Sequence, residues 1–202
     1  MKELELMLSG ELYLANDDEL KSMFNDKCEF LDEFNFTKYN DFKKREELVR
    51  GIFSSVGSNV VINKPFHCDY GCNISIGDNF YANYDCIFLD VNKITIGNNV
   101  FLGPRVCLYT AGHPIDKDVR NTQLEYGKPI IIGDDVWIGG NSVVLPGVTI
   151  GSNVVIGAGS IVNKDIPSNV VACGNPCKVI RKITINDKKI WENKRLDYFR
   201  KK

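Results

Sequence analysis

At 202 residues the chain is long enough for one sizeable core with a small appended element. Its net charge of −1 gives no whole-chain attraction to nucleic acid or to an anionic membrane. A hydrophobic fraction of 44% and a charged fraction of 25% are ordinary for a soluble globular protein. No apolar run approaches transmembrane length, and Met1-Lys-Glu-Leu-Glu-Leu-Met lacks the basic start and apolar stretch of a secretory signal. The seven cysteines are an odd count: Cys28, Cys68, Cys72, Cys86, Cys107, Cys173 and Cys177. Neither close pair, Cys68/Cys72 or Cys173/Cys177, has the two-residue spacing of a zinc knuckle. The expectation is a reducing, cytoplasmic setting without disulfides.

Residues 1–57 read as an N-terminal helical cap. Asn16-Asp-Asp-Glu19 offers a cap and first-turn acids before Leu20, Met23 and Phe24 at helical spacing. A second helix is expected from about Asp41 to Phe53, with Phe42, Leu48, Val49 and Ile52 on one face. Phe30, Phe34 and Phe36 are expected to anchor these helices on the next region. Such a cap also covers exposed strand edges.

Residues 58–185 carry a six-residue beat, regular from about Val60 to Val170. Aliphatic residues recur at Ile132, Ile138, Val144, Ile150, Ile156 and Val162, with Gly133, Gly139, Gly151 and Gly157 following four of them. Four places after each start come Val136, Ser142, Val148, Val154, Ser160 and Ile166. The same beat runs earlier through Ile76, Ala82 and Phe88, slips by two residues, and resumes at Ile96, Leu102 and Leu108. This period is neither helical nor a simple strand alternation. It predicts a solenoid of short strands, about 18 residues to each triangular coil. Glycine is expected at the corner for the backbone conformations it tolerates, and Cys86 falls at an inward position as a buried thiol.

The beat breaks between Leu108 and Ile132. Pro114, Arg120 and Tyr126 stand where inward residues are due, so an excursion loop is expected over about 113–128. After a turn at Gly174-Asn-Pro176, residues 186–202 read as a C-terminal helical tail. Its basic run, Lys188 to Lys202, is expected to be a solvated helix face.

With two histidines, His67 and His113, a His-rich zinc site is not expected. His113 begins the excursion between Gly112 and Pro114, where a neutral imidazole would serve as a general base near neutral pH. Otherwise it is a turn histidine. Glu125, in the same loop, is either its orienting partner or a solvated acid. Asp69, Asn83 and Asp90 are polar, but their spacing alone does not cluster them. Asn83 stands where the beat calls for glycine, either as a left-handed corner or as a ligand. No phosphate-cradling glycine loop or nucleophile elbow occurs.

Longer blocks carry a resemblance. They include Gly10-Glu-Leu-Tyr13, Pro65-Phe66, Asp69-Tyr-Gly-Cys-Asn-Ile74, Ile76-Gly-Asp-Asn-Phe-Tyr-Ala-Asn83 and Gly112-His-Pro114. Glu125-Tyr-Gly-Lys-Pro129, Ile132-Gly-Asp-Asp-Val-Trp-Ile-Gly139, Pro146-Gly-Val148, Gly157-Ala-Gly-Ser160, Lys164-Asp-Ile-Pro167 and Gly174-Asn-Pro-Cys177 follow. In order and over nearly the whole chain, these resemble the hexapeptide-repeat acyltransferases, within them the maltose and galactoside O-acetyltransferase group. The resemblance implies a left-handed parallel β-helix, although the crossover rule for parallel strands favours the right hand. It also implies a homotrimer with active sites between subunits, and acetyl-CoA as co-substrate without a metal. By resemblance, Trp137, Gly140, Ala158, Asn163, Lys164, Lys178 and Arg181 line the acetyl-CoA groove, with the three cations suited to its phosphates. Asp69 and Asn83 match acceptor-binding positions, and His113 the catalytic base. A backbone amide near Gly140 would stabilise the oxyanion.

Two departures bear on the acceptor. Where relatives carry an acid shortly after Gly-Glu-Leu-Tyr, this chain has Leu14 and Ala15, leaving Asp17 as a substitute. Galactoside-type relatives have a small hydroxyl residue where Asp69 stands, which places the chain nearer the maltose-type branch. The expected reaction is O-acetylation of a maltose-, glucose- or galactoside-like sugar. Alternatives are a capsule sugar, an amino sugar or a streptogramin-type antibiotic as acceptor, or a non-catalytic β-helix binding module. A related zinc-dependent β-helix hydratase needs three histidines, one more than are present.

Overall fold

The inward residues of the beat form one continuous core. In the computed structural model, which describes residues 1–202, Ile132, Ile138, Val144, Ile150, Ile156 and Val162 are all buried, as are Ile76, Ala82, Phe88, Ile96, Leu102 and Leu108. Each burial of a large aliphatic side chain is worth about 1.5–3 kcal/mol, and stacking them in register makes every coil bury its neighbour.

The strands assemble into three parallel sheets, one per side of the triangular coil. The first holds Phe66–Cys68, Cys86–Leu89, Cys107–Tyr109, Val143–Val144 and Ile161–Val162. The second runs from Ser55–Val56 through Ile94–Ile96 and Ile130–Ile132 to Thr149–Ile150. The third runs from Val61–Ile62 through Tyr81–Ala82, Phe101–Leu102, Val136–Ile138 and Val154–Ile156 to Val170–Cys173. Strand Lys178–Lys182 turns back antiparallel on Val170–Cys173. Pairing is uninterrupted across the excursion: Ile96 pairs with Ile132 and Cys107 with Val143. The loop therefore projects from a coil that closes beneath it.

The corner glycines act differently from expectation. Gly77, Gly97, Gly133, Gly139 and Gly151 have no positive φ. A Cβ on Gly77 would lie 2.7 Å from the carbonyl oxygen of Gly97, and one on Gly139 2.5 Å from the amide nitrogen of Ala158. Glycine is needed because adjacent coils touch there. The left-handed torsion falls two residues later, on Asn59, Asn79, Asn99, Asp135, Asn153 and Asn169. These side chains form a ladder along the corner: Asn59 donates to Asn79 at 3.0 Å, Asn79 to Asn99 at 2.9 Å and Asn99 to Asp135 at 2.9 Å. Asn83 is not left-handed either; that torsion belongs to Asp85.

Three helices precede the solenoid: α1 (Glu3–Ser9), α2 (Asp18–Phe36) and α3 (Phe42–Ile52). Phe30 and Phe34 join Phe53, Phe66 and Phe88 in an aromatic chain that fills the open end of the first coils, Phe66 meeting Phe88 edge-on at 5.1 Å. Phe36 and Phe42 are exposed instead. The buried face of α3 is taken by Val49 and by Arg45, which donates to the carbonyls of Lys38 and Tyr39 and so closes the α2–α3 turn. No helix is long and apolar enough to cross a membrane.

Candidate active site

The two-residue slip after Phe88 builds a buried polar corner. Asp90 is fully buried and its carboxylate accepts from the amides of Asp69 (3.0 Å), Tyr70 (2.9 Å) and Asn73 (3.2 Å). Asn92, also buried, donates to the carbonyls of Met7, Leu8 and Gly127. One corner thus ties together the cap, the Asp69 segment and the base of the excursion.

The excursion is an antiparallel hairpin. Ala111–Gly112 pairs with Leu124–Gly127, whose other edge pairs with Tyr13–Leu14. Its tip is a single turn, α4 (Lys117–Arg120), capped by Asp116. Arg120 donates to the carbonyls of Pro114 and Ile115, both at 2.9 Å, which clamps the chain just past His113. Gly112 lets the Tyr126 ring pack over it: a Cβ there would sit 2.5 Å from the ring. The ladder ends at Gly112↔Tyr126, one step before it would set His113 opposite Glu125. Within the chain Glu125 instead accepts from the Tyr13 hydroxyl, at 3.1 Å, and the exposed His113 side chain makes no hydrogen bond.

Two cavities hold several of the expected site residues. One, of about 350 Å³, is lined by Asp69, Glu125, Tyr13, Tyr70, Phe24 and Ala15 among others. Burial raises the Asp69 carboxyl above its ordinary range; Lys27 opposes this and Glu125 adds to it. Burial, helped by Asp69, pushes Tyr70 up to about 12, and burial with Glu125 raises Tyr13. Both phenols stay protonated donors. The other cavity, of about 430 Å³, lies on the third sheet between Tyr81, Asn83, Phe101, Leu102, Gly103 and Trp137. Trp137 pairs in register with Phe101, and both rings are half exposed. The Gly140 amide makes no hydrogen bond in the chain; a Cβ on Gly103 would lie 2.4 Å from it.

Comparison with known proteins agrees with this geometry. The bacterial transferase hexapeptide (six repeats) model matches residues 129–164, and the maltose acetyltransferase hexapeptide capping motif matches residues 6–57. A putative acetyltransferase of Saccharomyces cerevisiae is 52% identical over 93% of this chain and 96% of its own. The chain belongs to the hexapeptide-repeat acetyltransferases, in the maltose and galactoside group. Among solved structures, the maltose O-acetyltransferase of Clostridium difficile 630 aligns at TM-score 0.89 with 55% identity, covering 91% of this chain and 98% of that one. A galactoside acetyltransferase in complex with coenzyme A aligns at 0.90 with 44% identity, covering 93% and 94%. The solenoid is the left-handed parallel β-helix of this fold.

Against this acetyltransferase frame, the expected site residues separate into groups. Asp69 and Glu125 share one cavity, Asn83 and Trp137 the other, and His113 lies in neither. Ala158, Asn163, Lys164 and Lys178 are exposed along the C-terminal coils. Arg181 is also exposed but engaged, its guanidinium forming a two-pronged pair with Asp187 at 2.8 and 2.9 Å. That pair, with the Thr184 amide, holds the Asp187 carboxyl down at about 2. Asp17 caps α2, accepting from the amides of Glu19 (3.0 Å) and Leu20 (3.4 Å), as the Asn16–Glu19 run led one to expect, while Ala15 lines the cavity. Sequence reasoning missed Tyr13, Tyr70 and Phe101. Tyr13 had a visible signal in the Gly-Glu-Leu-Tyr block, but its tie to Glu125 spans 112 residues. No cluster of His, Cys, Asp or Glu could hold a metal ion.

Proposed function

We propose that this chain transfers the acetyl group of acetyl-CoA to a hydroxyl of a maltose- or glucose-like sugar, with His113 as general base. The observation that carries the reading is the third-sheet cavity. An exposed indole and the bare backbone of Gly103 adjoin Asn83 there, and the unpaired Gly140 amide lies against Gly103, which fits a slender acyl chain ending at an oxyanion donor. The cations Lys164 and Lys178 at the C-terminal end suit the phosphates of CoA; Arg181 would join them only by sharing its guanidinium with Asp187. Acetyl-CoA supplies an acyl group already activated as a thioester.

His113 takes the proton of the acceptor hydroxyl as that oxygen attacks the acyl carbon, and returns it to the departing thiolate. A positioned base contributes about 10²–10⁴-fold and one oxyanion donor about 10²–10³-fold. Asp69 and Tyr70 offer an acceptor and a donor to sugar hydroxyls in the other cavity, where Tyr13, its proton given to Glu125, offers a second acceptor and Phe24 an apolar wall. Asn83, His113 and Asp69 occupy separate places in one chain, which favours a trimer whose sites form between neighbours. All seven cysteines are free, which fits the cytoplasm.

The test is thiol release from acetyl-CoA with glucose, maltose, a galactoside, glucosamine and a streptogramin, each against an enzyme-only blank. The expected result is release that depends on glucose or maltose. Saturable CoA binding without release on any acceptor would reject the acceptor class, and absence of both would reject the enzyme.

A further inference from the structure

Lys27 is the one lysine in the cap that is almost fully buried, 5% exposed at the middle of α2. Buried lysines are ordinarily paired with a carboxylate. None of the chain's ion pairs involves this one. Its Nζ instead lies 3.6 Å from the centre of the Phe24 ring, one turn earlier on the same helix face. That ring favours a cation over a neutral amine.

Phe24 is also a wall of the cavity that holds Asp69 and Glu125. Helix α2 packs on the strand Phe66–Cys68, which leads directly into Asp69. The charged and titratable groups around the Asp69 carboxyl come from every element of the corner. Lys27 stands on α2, Glu125 on the hairpin, Tyr13 on its edge strand, Tyr70 beside it, and Asp90 behind the backbone. Burial and Glu125 drive Asp69 towards its protonated form, and Lys27 alone among these opposes them. Lys21, at the cavity rim, faces solvent and pairs with Asp18 at 3.7 Å, so it offers little. The state of Asp69 decides what it can recognise. Ionised it accepts from sugar hydroxyls at both oxygens; protonated it becomes partly a donor, beside the Tyr70 phenol that already donates.

We propose that Lys27 is a positioning residue of the acceptor site, its ammonium, braced on the Phe24 ring, serving as the counter-charge that keeps Asp69 an acceptor for sugar hydroxyls. This rests on the reading of that cavity as the acceptor site. Lys27 touches no substrate; it acts through Asp69.

The test follows the Asp69 carboxyl directly. Protein labelled with carbon-13 at aspartate is titrated as wild type, Lys27→Met and Lys27→Arg, with Asp69→Asn identifying the resonance. Lys27→Met should move the Asp69 midpoint upward by about one pH unit or more, and Lys27→Arg should keep it near the wild-type value. Lys27→Gln takes the place of Lys27→Met if thermal melts show that variant unfolded. An unmoved midpoint overturns the coupling. The same variants are then assayed for the acidic limb of kcat/KM on the acceptor, which should move with the carboxyl while KM for acetyl-CoA stays constant. A shifted carboxyl with an unshifted limb overturns the placement of the acceptor in this cavity, and the positioning role with it.

Discussion

His113 projects from a backbone fixed on both sides, by the Gly112–Tyr126 pair before it and the Arg120–Pro114 clamp after it. A side chain held this way loses little by truncation except its chemistry. His113→Ala should lower kcat by at least about 10²-fold while leaving the Kd for CoA essentially unchanged, as read by thiol release and by calorimetry. Comparable turnover in the variant would remove His113 from the mechanism. Glycine at residue scale was legible as a position but not as a reason. The beat marked Gly77, Gly97 and Gly133, yet what excludes a Cβ is the next coil, 18 or more residues away. The torsion expected of glycine is carried by the asparagines, whose ladder needs two coils in contact before it exists.

Among the elements, the corner at Asp90 and Asn92 appeared in the sequence only as a two-residue slip. Its content is a set of long-range hydrogen bonds, which periodicity does not report. Burial pushes Asp90 up to about 6 from an ordinary 3.8, so the folded chain binds this proton more tightly than the unfolded chain. That contribution is full below the ordinary carboxylate range and is lost as pH rises through about 6. The melting temperature should therefore gain from this group as pH falls from about 7 to about 5, and Asp90→Asn should lack that part of the rise. Parallel Tm–pH curves for the two proteins would show that Asp90 is not the source. Helix α3 was readable because Asp41 caps a clear pattern. Helix α1 and strand Tyr13–Leu14 were not, being too short to carry a period of their own. Phe36 and Phe42 show the limit of spacing: they sit on helices but stay exposed.

The whole molecule is a solenoid closed at one end by aromatic rings and at the other by a strand and helix that bury little. Helix α5 (Ile185–Arg200) has no buried residue, although Trp191 and Phe199 lie on it, and its tie to the body is the exposed Arg181–Asp187 pair. Truncation after Ile183 should lower Tm by no more than about 4 °C, measured by thermal denaturation. A larger fall would mean that α5 packs against something in the assembled protein. The periodic core, the inward residues, the excursion and its histidine were determined by the sequence alone, because each is a regularity or an interruption along one dimension. Three-dimensional packing decided the rest: Glu125 bonds Tyr13 from 112 residues away, and Lys27 lies buried on the helix that packs against the strand leading into Asp69. Those outcomes depend on which side chains meet across distant coils, and competition among nearby partners cannot be read from spacing.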